Sequence, residues 1–319
     1  MPSLIDNMGK GNGMRAILTG ATGAVGMALI SELTGRGIEV TVLCRKGSAR
    51  AASIKEGPLV KKVDCSLDDM AAFDMGDEKF DMFFHLAWDG TTGATRNDMY
   101  LQNRNVRYTL DAVELADRLG CKVFLGAGSQ AEYGRAEGKI NSKTPTFPEN
   151  GYGMAKLCAG QMSRSMCHAK GMKHIWVRIL SVYGPYDGER SLIASTVKKL
   201  FDGEKPSFTA GEQIWDYMYS GDTARAMVEL ALGGKDGGVY CLGSGEARPL
   251  CEYIKMLRDC INPDAELGLG DIPYAEGQVM YLCADTAELE KDIRFKSEVS
   301  FEDGIKKTVE WYKKERLGK

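Results

Sequence analysis

Short apolar runs alternate with helical patterns of apolar residues through the first two-thirds of the chain. The apolar runs have strand length and are rich in Val, Ile, Leu and Phe, which is typical of buried parallel strands. Six such strands are predicted, in MRAILTG, IEVTVLC, LVKKVDC, FDMFFHLAW, CKVFLGAG and HIWVRIL. Helices are predicted over residues 24–36, 104–119 and 152–170. Strands and helices that alternate in this way predict an α/β fold with a doubly wound parallel sheet.

The pattern changes from residue 186, after the segment VYGP. A helix near 192–201 is followed by the loop GEKPSFT, an amphipathic segment GDTARAMVELAL and a further strand in GVYCLGSG. One stripe of the last helical segment carries Phe301, Ile305, Val309 and Tyr312. We therefore predict a flexible tail at 1–13, a main domain at 14–185 that regains a segment near 222–246, and a smaller C-terminal lobe at 186–319.

Composition and charge narrow the class of protein. The chain has 319 residues, 44% of them hydrophobic and 27% charged, with a net charge of −3. That charge gives no reason to expect nucleic acid or an anionic membrane as a partner, and no apolar run approaches the length of a membrane span. Nine cysteines without a CxxC pair do not indicate a metal site. We expect a cytoplasmic protein whose partner is a small molecule.

A glycine-rich turn follows the first predicted strand. LTGATGAVG places Gly20, Gly23 and Gly26 between that strand and the first helix, with Thr22, Ala24 and Val25 between them. Glycine permits a sharp turn and lets a diphosphate approach the backbone, and the helix N-terminus favours its negative charge. A strand before the turn and a helix after it predict a dinucleotide site.

The end of the second strand bears on which dinucleotide binds. A carboxylate there usually holds a ribose 2′-hydroxyl, whereas a 2′-phosphate requires cations. The sequence has Cys44 followed by Arg45 and Lys46, with Arg50 nearby, which favours NADP(H). The alternative is a solvated basic loop in a protein that accepts either NADP(H) or NAD(H). Asp64, at the end of the third strand, either faces the adenine or simply caps its strand.

Further motifs resemble the extended short-chain dehydrogenase/reductase family, in its branch of nucleotide-sugar epimerases, dehydratases and ketoreductases. They are HLAW, Asn105 in the helix after it, Ser129 before Tyr133-Gly134, Tyr152-x-x-x-Lys156, VRILSVYGP, WDYMYSGD and EDGIKKTVEWYKK. The resemblance covers nearly the whole chain from Met14 onward. It implies a Rossmann fold, a nucleotide-sugar substrate and a homodimer formed through the helices at 104–119 and 152–170. As further cofactor-binding residues it implies Cys65, Leu86, Ala87, Asn105 and Leu180, together with Tyr152 and Lys156.

The resemblance makes Tyr152, Lys156 and Ser129 the catalytic residues, and physical chemistry agrees. A free tyrosine has a pKa near ~10 and is a poor base at neutral pH. Lys156 lies one helical turn after Tyr152, and an ammonium at about 4 Å contributes on the order of 4 kcal/mol at an effective dielectric constant of ~20. We therefore expect Lys156 to lower the pKa of Tyr152, and Ser129 to hydrogen-bond the same substrate oxygen. Without the glycine turn, the same residues would suggest a surface pair and a strand cap.

Departures from the family pattern narrow the reaction. Dehydratases of this branch carry an Asp-Glu pair where this chain has Gln130 and Ala131, so dehydration is not expected. We expect Glu132 to neighbour the substrate pocket. An NADPH-dependent reductase of a 4-keto-6-deoxy sugar nucleotide is favoured by the basic loop. A 4-epimerase with retained NAD, a reductase of a non-sugar ketone and a non-catalytic NADP sensor are the alternatives.

Substrate residues are the least specified part of the prediction. The resemblance implies Tyr183, and Trp215 stands where an arginine is common in the family. An arginine that often clamps the diphosphate is also missing from PYAEGQ, so Arg190 or Lys205 would have to replace it. We expect Gln130, Glu132, Tyr183, Arg190 and Trp215 to line the substrate pocket.

Overall fold

A seven-stranded parallel sheet forms the centre of the computed structural model, which describes residues 13–317. The strands are β1 (Arg15–Thr19), β2 (Glu39–Cys44), β3 (Val60–Asp64), β4 (Met82–His85), β5 (Val123–Ser129), β6 (Lys173–Ile179) and β11 (Gly238–Leu242). They lie in the order β11-β6-β5-β4-β1-β2-β3, so the connections wind in both directions from β1. The predicted doubly wound Rossmann sheet is confirmed, and GVYCLGSG supplies its seventh strand.

Helices cover both faces of the sheet. On one face α1 (Ala24–Gly35) packs against α5 (Ser220–Gly233), and on the other α2 (Met99–Arg118) packs against α3 (Gly151–Ala169). Because both faces are covered, the central strands are buried on both sides, which explains their continuous apolar runs, whereas the edge strand β3 keeps exposed polar residues. Helix α2 begins five residues before its predicted start, since the Asp98 carboxylate caps it by accepting a hydrogen bond from the Leu101 amide at 3.0 Å.

The C-terminal lobe has its own apolar core. It contains α4 (Leu192–Phe201), α6 (Leu250–Ile261) and α8 (Phe301–Leu317), with short strands between them. These strands are β7 (Ser181–Tyr183), β8 (Ser207–Phe208), β9 (Ile214–Trp215), β10 (Tyr217–Tyr219), β12 (Arg248–Pro249), β13 (Gly268–Leu269) and β14 (Tyr281–Leu282). The predicted stripe on α8 is confirmed, because Phe301, Ile305 and Val309 are buried in this core and Tyr312 is half-buried beside it.

The chain leaves the main sheet after β6 and comes back to it. Strand β11 pairs with β6 and helix α5 packs on the sheet. Leu289 of α7 (Ala287–Ile293) and Phe295, which follows this helix, lie in the same core as α5. The lobe therefore lies over one end of the sheet while its connections remain part of the sheet's core. The predicted tail at 1–13 lies, apart from Gly13, outside the described residues. Within residues 13–317 no helix is both long and apolar enough to cross a membrane.

Candidate active site

The glycine turn brings backbone from two strands to one point. Gly20 has a φ of +75°, and a β-carbon there would lie 2.5 Å from the backbone nitrogen of Ala87 after β4. A β-carbon on Gly26 would lie 2.5 Å from the Ala21 Cα, so α1 packs directly against the turn. A β-carbon on Gly23, by contrast, would meet none of the described residues within 4 Å, because Gly23 faces an open cleft. Among residues 13–317 no side chain caps the N-terminus of α1, so its first amide groups are free for an anion.

The cleft widens beyond the turn into a cavity of about 590 Å³ at the ends of β1, β2 and β3. Of the residues predicted to bind the cofactor, this cavity is lined by Gly20, Thr22, Gly23, Arg45, Cys65, Leu86 and Ala87. Arg50 also lines it and donates a hydrogen bond to the Thr22 carbonyl at 2.9 Å. Lys46 and Asp64 are exposed and outside the lining. The cations that line this end of the cleft are therefore Arg45 and Arg50.

Asn105 lies behind the wall of the cleft and fixes the loop after β4 that forms this wall. It is 1% exposed, and its side-chain amide accepts a hydrogen bond from the Asp89 amide and donates one to the Asp89 carbonyl, both at 2.9 Å. The loop that follows β4 is therefore fixed to α2. Asn105 was predicted to bind the cofactor, and the structure instead buries it behind the loop that carries Leu86 and Ala87.

A second cavity, of about 280 Å³, continues the cleft past the glycine turn. Ser129 reaches it from the last position of β5, and Tyr152 and Lys156 reach it from the first two turns of α3. Helix α3 starts in the right place because the Asn150 side chain caps it by accepting a hydrogen bond from the Gly153 amide at 2.9 Å. The cavity is also lined by predicted cofactor residues Gly20, Gly23, Ala24, Val25, Gly26, Leu86 and Leu180. The three predicted catalytic side chains thus meet beside the glycine turn.

Burial dominates the acidity of Tyr152. It raises the pKa of the phenol, while the Ser129 hydroxyl and the Arg96 guanidinium act in the opposite direction and the Glu132 carboxylate adds to the rise. The guanidinium of Arg96 lies over the Tyr152 ring, with its carbon 4.4 Å from the ring centroid. The rings of Tyr152 and Trp88 pack in a T-shape, with their centroids 6.0 Å apart.

Lys156 does not lie where we expected it. Its ammonium lies 5.8 Å from the Tyr152 ring centroid but only 3.8 Å from that of Trp88, and it donates a hydrogen bond to the Ala127 carbonyl at 2.5 Å. Burial lowers the pKa of Lys156 to about 7, with Glu132 opposing that shift. The expectation that Lys156 lowers the pKa of Tyr152 is not met in this geometry, because the cation over the phenol ring is Arg96.

Two residues predicted to contact substrate are buried in the protein interior, and that prediction is corrected for both. Glu132 is fully buried and forms an ion pair of 2.6 Å with Arg178, while its other oxygen accepts hydrogen bonds from the Ser129 amide and the Trp176 indole. Tyr183 is also fully buried, within the aromatic core of the lobe, and donates a hydrogen bond to the Phe301 carbonyl. Both were misassigned because sequence spacing does not reveal on which side of an element a side chain lies.

The other three predicted substrate residues remain accessible. Trp215 is half-buried and donates a hydrogen bond to the Ser181 hydroxyl at 2.7 Å. Gln130 is half-buried in a 3-10 turn directly after β5, and Arg190 is exposed on the loop before α4. None of the three is among the residues that line the two cavities described above.

Sequence reasoning missed three residues at the site, which are Trp88, Arg96 and Asp187. Trp88 and Asp187 line the smaller cavity, and Arg96 covers Tyr152. Burial raises the pKa of Asp187, while hydrogen bonds from the Ser191 hydroxyl and the Gly188 amide oppose that rise. The tryptophan in HLAW was a visible signal. No sequence signal pointed to Arg96, because it lies in a polar loop distant in sequence from Tyr152 and contacts that ring only in the folded protein.

Comparison with known proteins decides the family. Residues 16–243 match the model of the NAD dependent epimerase/dehydratase family, which is most of the chain. The chain belongs to this family. Among curated relatives, the dTDP-glucose 4,6-dehydratase of Streptomyces niveus is 25% identical over 212 residues, 62% of this chain and 63% of that protein. The matched part thus spans less than two thirds of that relative's own length.

Solved structures with the same fold cover almost the whole chain. The UDP-N-acetylglucosamine 4-epimerase of Methanobrevibacter ruminantium M1 superposes with a TM-score of 0.85 at 20% identity, over 96% of this chain and 100% of that one. The UDP-glucose 4-epimerase of Thermotoga maritima gives 0.84 at 23%, over 95% and 100%. A dTDP-glucose 4,6-dehydratase from Streptomyces venezuelae with NAD bound gives 0.84 at 22%, over 96% and 98%. At these identities the likeness shows the fold.

Proposed function

We propose that this protein is an NAD(P)-dependent oxidoreductase that acts on a nucleotide-activated sugar. The observation that carries the proposal is the meeting of Ser129, Tyr152 and Lys156 in the cavity that continues from the glycine turn. Two connected cavities that share Gly20, Gly23 and Leu86 fit the two halves of an elongated dinucleotide. The free amide groups at the start of α1 would hold its diphosphate, and Lys156 would hold the ribose next to the nicotinamide.

The side chains divide the work of a hydride transfer. A bound nicotinamide would supply the hydride that reduces the carbonyl carbon, or accept it from the carbinol carbon in the reverse direction. Tyr152 gives its proton to the substrate oxygen during reduction and takes it back during oxidation. Ser129 hydrogen-bonds the same oxygen and is itself held by the turn after β5, where its side chain accepts a hydrogen bond from the Ala131 amide at 3.2 Å. Trp88 and Leu180 exclude water from the reacting atoms.

NADP(H) is the cofactor that the cleft supports best, with NAD(H) as the alternative. Strand β2 ends on Cys44, so this position offers no carboxylate to repel a 2′-phosphate. Arg45 and Arg50 line the same cavity and can bind that phosphate. Structural relatives contain NAD, as the Streptomyces venezuelae dehydratase does. Comparing the affinities of the wild type and Arg45→Glu for NADPH and NADH tests the preference.

The sugar-nucleotide substrate is inferred from the relatives, which are named for dTDP-glucose, UDP-glucose and UDP-N-acetylglucosamine. Trp215 and Ser181 form a hydrogen-bonded pair on the lobe, and Gln130 follows directly after the catalytic Ser129. Arg190 is the exposed cation on the loop before α4, whereas Lys205 is engaged with Asp271 at 3.4 Å. Of the two cations that we considered for the diphosphate, Arg190 is therefore preferred.

Reduction of a 4-keto-6-deoxy sugar nucleotide is the reaction that we favour. The basic cleft supports an exchangeable NADPH, and the position of a dehydratase acid-base pair is taken by Gln130 and by Ala131, which is 5% exposed. Glu132 cannot substitute for that pair, because Arg178 holds its carboxylate in the interior. Dehydration is therefore not proposed, although dehydratases are among the relatives. The second candidate is a 4-epimerase, since two of the fold's solved relatives carry that name.

We also propose a homodimer formed through α2 and α3, which pack side by side. Both helices keep large apolar side chains exposed. Met99 is 55% exposed and Tyr100 88% on α2, and Met154 is 48% and Met162 46% exposed on α3. An apolar surface of this kind on adjacent helices is typical of an interface. A second copy of the chain, related by a two-fold axis, would cover it.

The reaction is tested by identifying what the purified protein releases on denaturation and what it turns over. A reductase is expected to release no NAD and to oxidise added NADPH with dTDP-4-keto-6-deoxyglucose. Stoichiometric release of NAD, with interconversion of UDP-glucose and UDP-galactose, would instead support the epimerase. The proposal would be contradicted if the protein bound NADPH but turned over neither sugar nucleotide, and if Tyr152→Phe bound NADPH equally well. That result would indicate a cofactor sensor. NADPH oxidation with a non-sugar ketone alone would contradict only the sugar assignment.

A further inference from the structure

A loop between β4 and α2 places a permanent cation over the catalytic tyrosine. The Arg96 guanidinium lies face-on to the Tyr152 ring, 4.4 Å from its centroid. A guanidinium in this position is attracted to the face of a neutral phenol and more strongly to a phenolate, which carries a full negative charge. Arginine stays protonated at every pH at which proteins are folded. The contact therefore stabilises the deprotonated side chain most.

The loop is built so that Arg96 stays in this place. Its guanidinium also donates a hydrogen bond to the Thr91 carbonyl at 3.2 Å. The side chain of Gln102, which is 1% exposed, donates to the carbonyls of Gly90 and Thr95 at 2.8 and 2.9 Å. A buried amide on α2 thus ties both arms of the loop to the helix. These hydrogen bonds hold the guanidinium in one geometry before the reaction, so less conformational entropy is lost during proton transfer.

The second cation of the site is engaged elsewhere. Lys156 is 3% exposed, lies against the Trp88 ring and is hydrogen-bonded to the Ala127 carbonyl. The indole of Trp88 is fixed in turn by its hydrogen bond to Gln102 at 2.9 Å. Arg96, Tyr152, Trp88 and Lys156 therefore form a row in which each cation faces a different ring. Of the two cations, Arg96 is the one that lies against the phenol.

We propose that Arg96 is a positioning residue for proton transfer, which holds the Tyr152 ring against the cavity and stabilises the phenolate left when Tyr152 gives its proton to the substrate oxygen. The step is balanced, since one O–H bond breaks on the phenol, one forms on the substrate, and Arg96 keeps all its protons. The inference rests on the proposed function of Tyr152. It assigns to Arg96 the electrostatic role that the sequence suggested for Lys156.

Other charged groups around Tyr152 do not replace Arg96. Glu132 faces it from the turn after β5 and opposes ionisation, but its charge is paired with Arg178. Lys156 faces it from α3 at 5.8 Å from the ring centroid. Asp187 lines the same cavity from the loop after β7, and a carboxylate there also opposes ionisation. Arg96 is therefore the charge among these that favours the phenolate from directly above the ring.

The experiment measures the ionisation of Tyr152 itself, without substrate or turnover. The protein is labelled with 3-fluorotyrosine, whose phenol titrates at lower pH than tyrosine, and the ¹⁹F resonance that is missing in Tyr152→Phe is followed against pH. In Arg96→Gln we expect its midpoint to rise by about 1 unit, the lower end of the effect of an opposite charge at ~4–6 Å. Arg96→Lys should restore most of the shift, and Lys296→Gln, which removes a distant exposed charge, should leave the midpoint unchanged.

An unchanged midpoint in Arg96→Gln would overturn the inference. So would an equal rise in Arg96→Gln and Arg96→Lys, because loss of the wild-type packing rather than of the charge would then explain both. The alkaline limb of kcat/KM for the reduction, where Tyr152 loses the proton that it must donate, should move in the same direction as the ¹⁹F midpoint. If the midpoint moves but no sugar nucleotide is turned over by the wild type, the proposed function fails while the coupling between Arg96 and Tyr152 stands.

Discussion

The carboxylate of Glu132 is enclosed by several hydrogen-bond donors. It pairs with Arg178 at 2.6 Å and accepts hydrogen bonds from the Trp176 indole at 3.0 Å and the Ser129 amide at 2.9 Å. This network holds the backbone of Ser129, the serine that we propose as catalytic, from the side of the interior. The effect of such an ion pair on the free energy of unfolding is largest when one partner is removed, because the other charge is then buried and uncompensated.

Glu132→Ala is expected to lower the free energy of unfolding by about 3–5 kcal/mol, because Arg178 loses its counter-charge in the interior. Glu149→Ala removes an exposed carboxylate paired with Arg135 and should cost less than about 1 kcal/mol. Urea unfolding of both variants measures the difference. Equal costs for the two variants would show that the Glu132–Arg178 pair is not buried as described.

Two histidines are kept neutral by burial, which gives the stability a defined pH dependence. Burial lowers the pKa of His174 to about 4 and that of His85 to about 3. Between pH 6.5 and those values the unfolded chain takes up protons that the folded protein refuses. The free energy of unfolding therefore falls as the pH drops, by about 1.4 kcal/mol per pH unit for each histidine.

His174→Gln should weaken the pH dependence of the free energy of unfolding, because one of the two contributing histidines is removed. Glutamine can keep a hydrogen bond to Ser163, whose hydroxyl lies 2.9 Å from the His174 Nε2 atom. Urea unfolding at pH 6.5 and 5.0 is compared for the wild type and the variant. The wild type is expected to lose about 1.5 kcal/mol more than the variant across this interval, because the unfolded histidine is already half-protonated at pH 6.5. Parallel losses would mean that His174 is protonated in the folded state.

At the scale of elements, two glycines of the same turn are required for different reasons, one for packing and the other for access of a ligand. Gly26 is required by packing, since a β-carbon there would lie 2.5 Å from backbone atoms of the turn, whereas Gly23 faces open space. Gly23 also has an extended backbone, with φ −98° and ψ 175°, that any residue can adopt. The fold needs Gly26, and we infer that the ligand needs Gly23.

Gly23→Ala is therefore expected to lower the free energy of unfolding by no more than about 1 kcal/mol, the cost of alanine at a helix N-cap, but to bind NADPH at least about 10-fold more weakly. Gly26→Ala should lose about 1–3 kcal/mol of stability through overpacking. Thermal unfolding with and without NADPH reports both effects. Tight binding of NADPH by Gly23→Ala would contradict the placement of the diphosphate at this turn.

Elements were predicted from sequence more reliably than their side-chain surroundings. The strand positions follow from continuous apolar runs, and the capping carboxylate of Asp98 explains why α2 starts earlier than its apolar pattern. Glu132 and Tyr183 were assigned to the pocket although both are buried, and Arg96 was missed. The surroundings of these three side chains are determined by contacts between segments that are distant in sequence. Local periodicity carries no information about such contacts.

At the scale of the whole molecule, an apolar surface on α2 and α3 is unaccounted for in a single copy of the chain. Tyr100→Glu combined with Met162→Glu should convert the proposed dimer into a monomer, because two charges would be buried at the interface. Ile272→Glu, which places a charge at a 47% exposed site elsewhere, is the control and should remain dimeric. Light scattering gives the mass of each. A monomeric wild type would contradict the proposed interface.

The central claim is that Tyr152 moves the proton that accompanies hydride transfer beside the glycine turn. Mass spectrometry of the product formed from [4,4-²H₂]NADPH and dTDP-4-keto-6-deoxyglucose tests it most directly. The wild type should place one deuterium on the sugar, and Tyr152→Phe should bind NADPH normally yet transfer deuterium at least about 100-fold more slowly. Transfer by Tyr152→Phe at the wild-type rate would contradict the account.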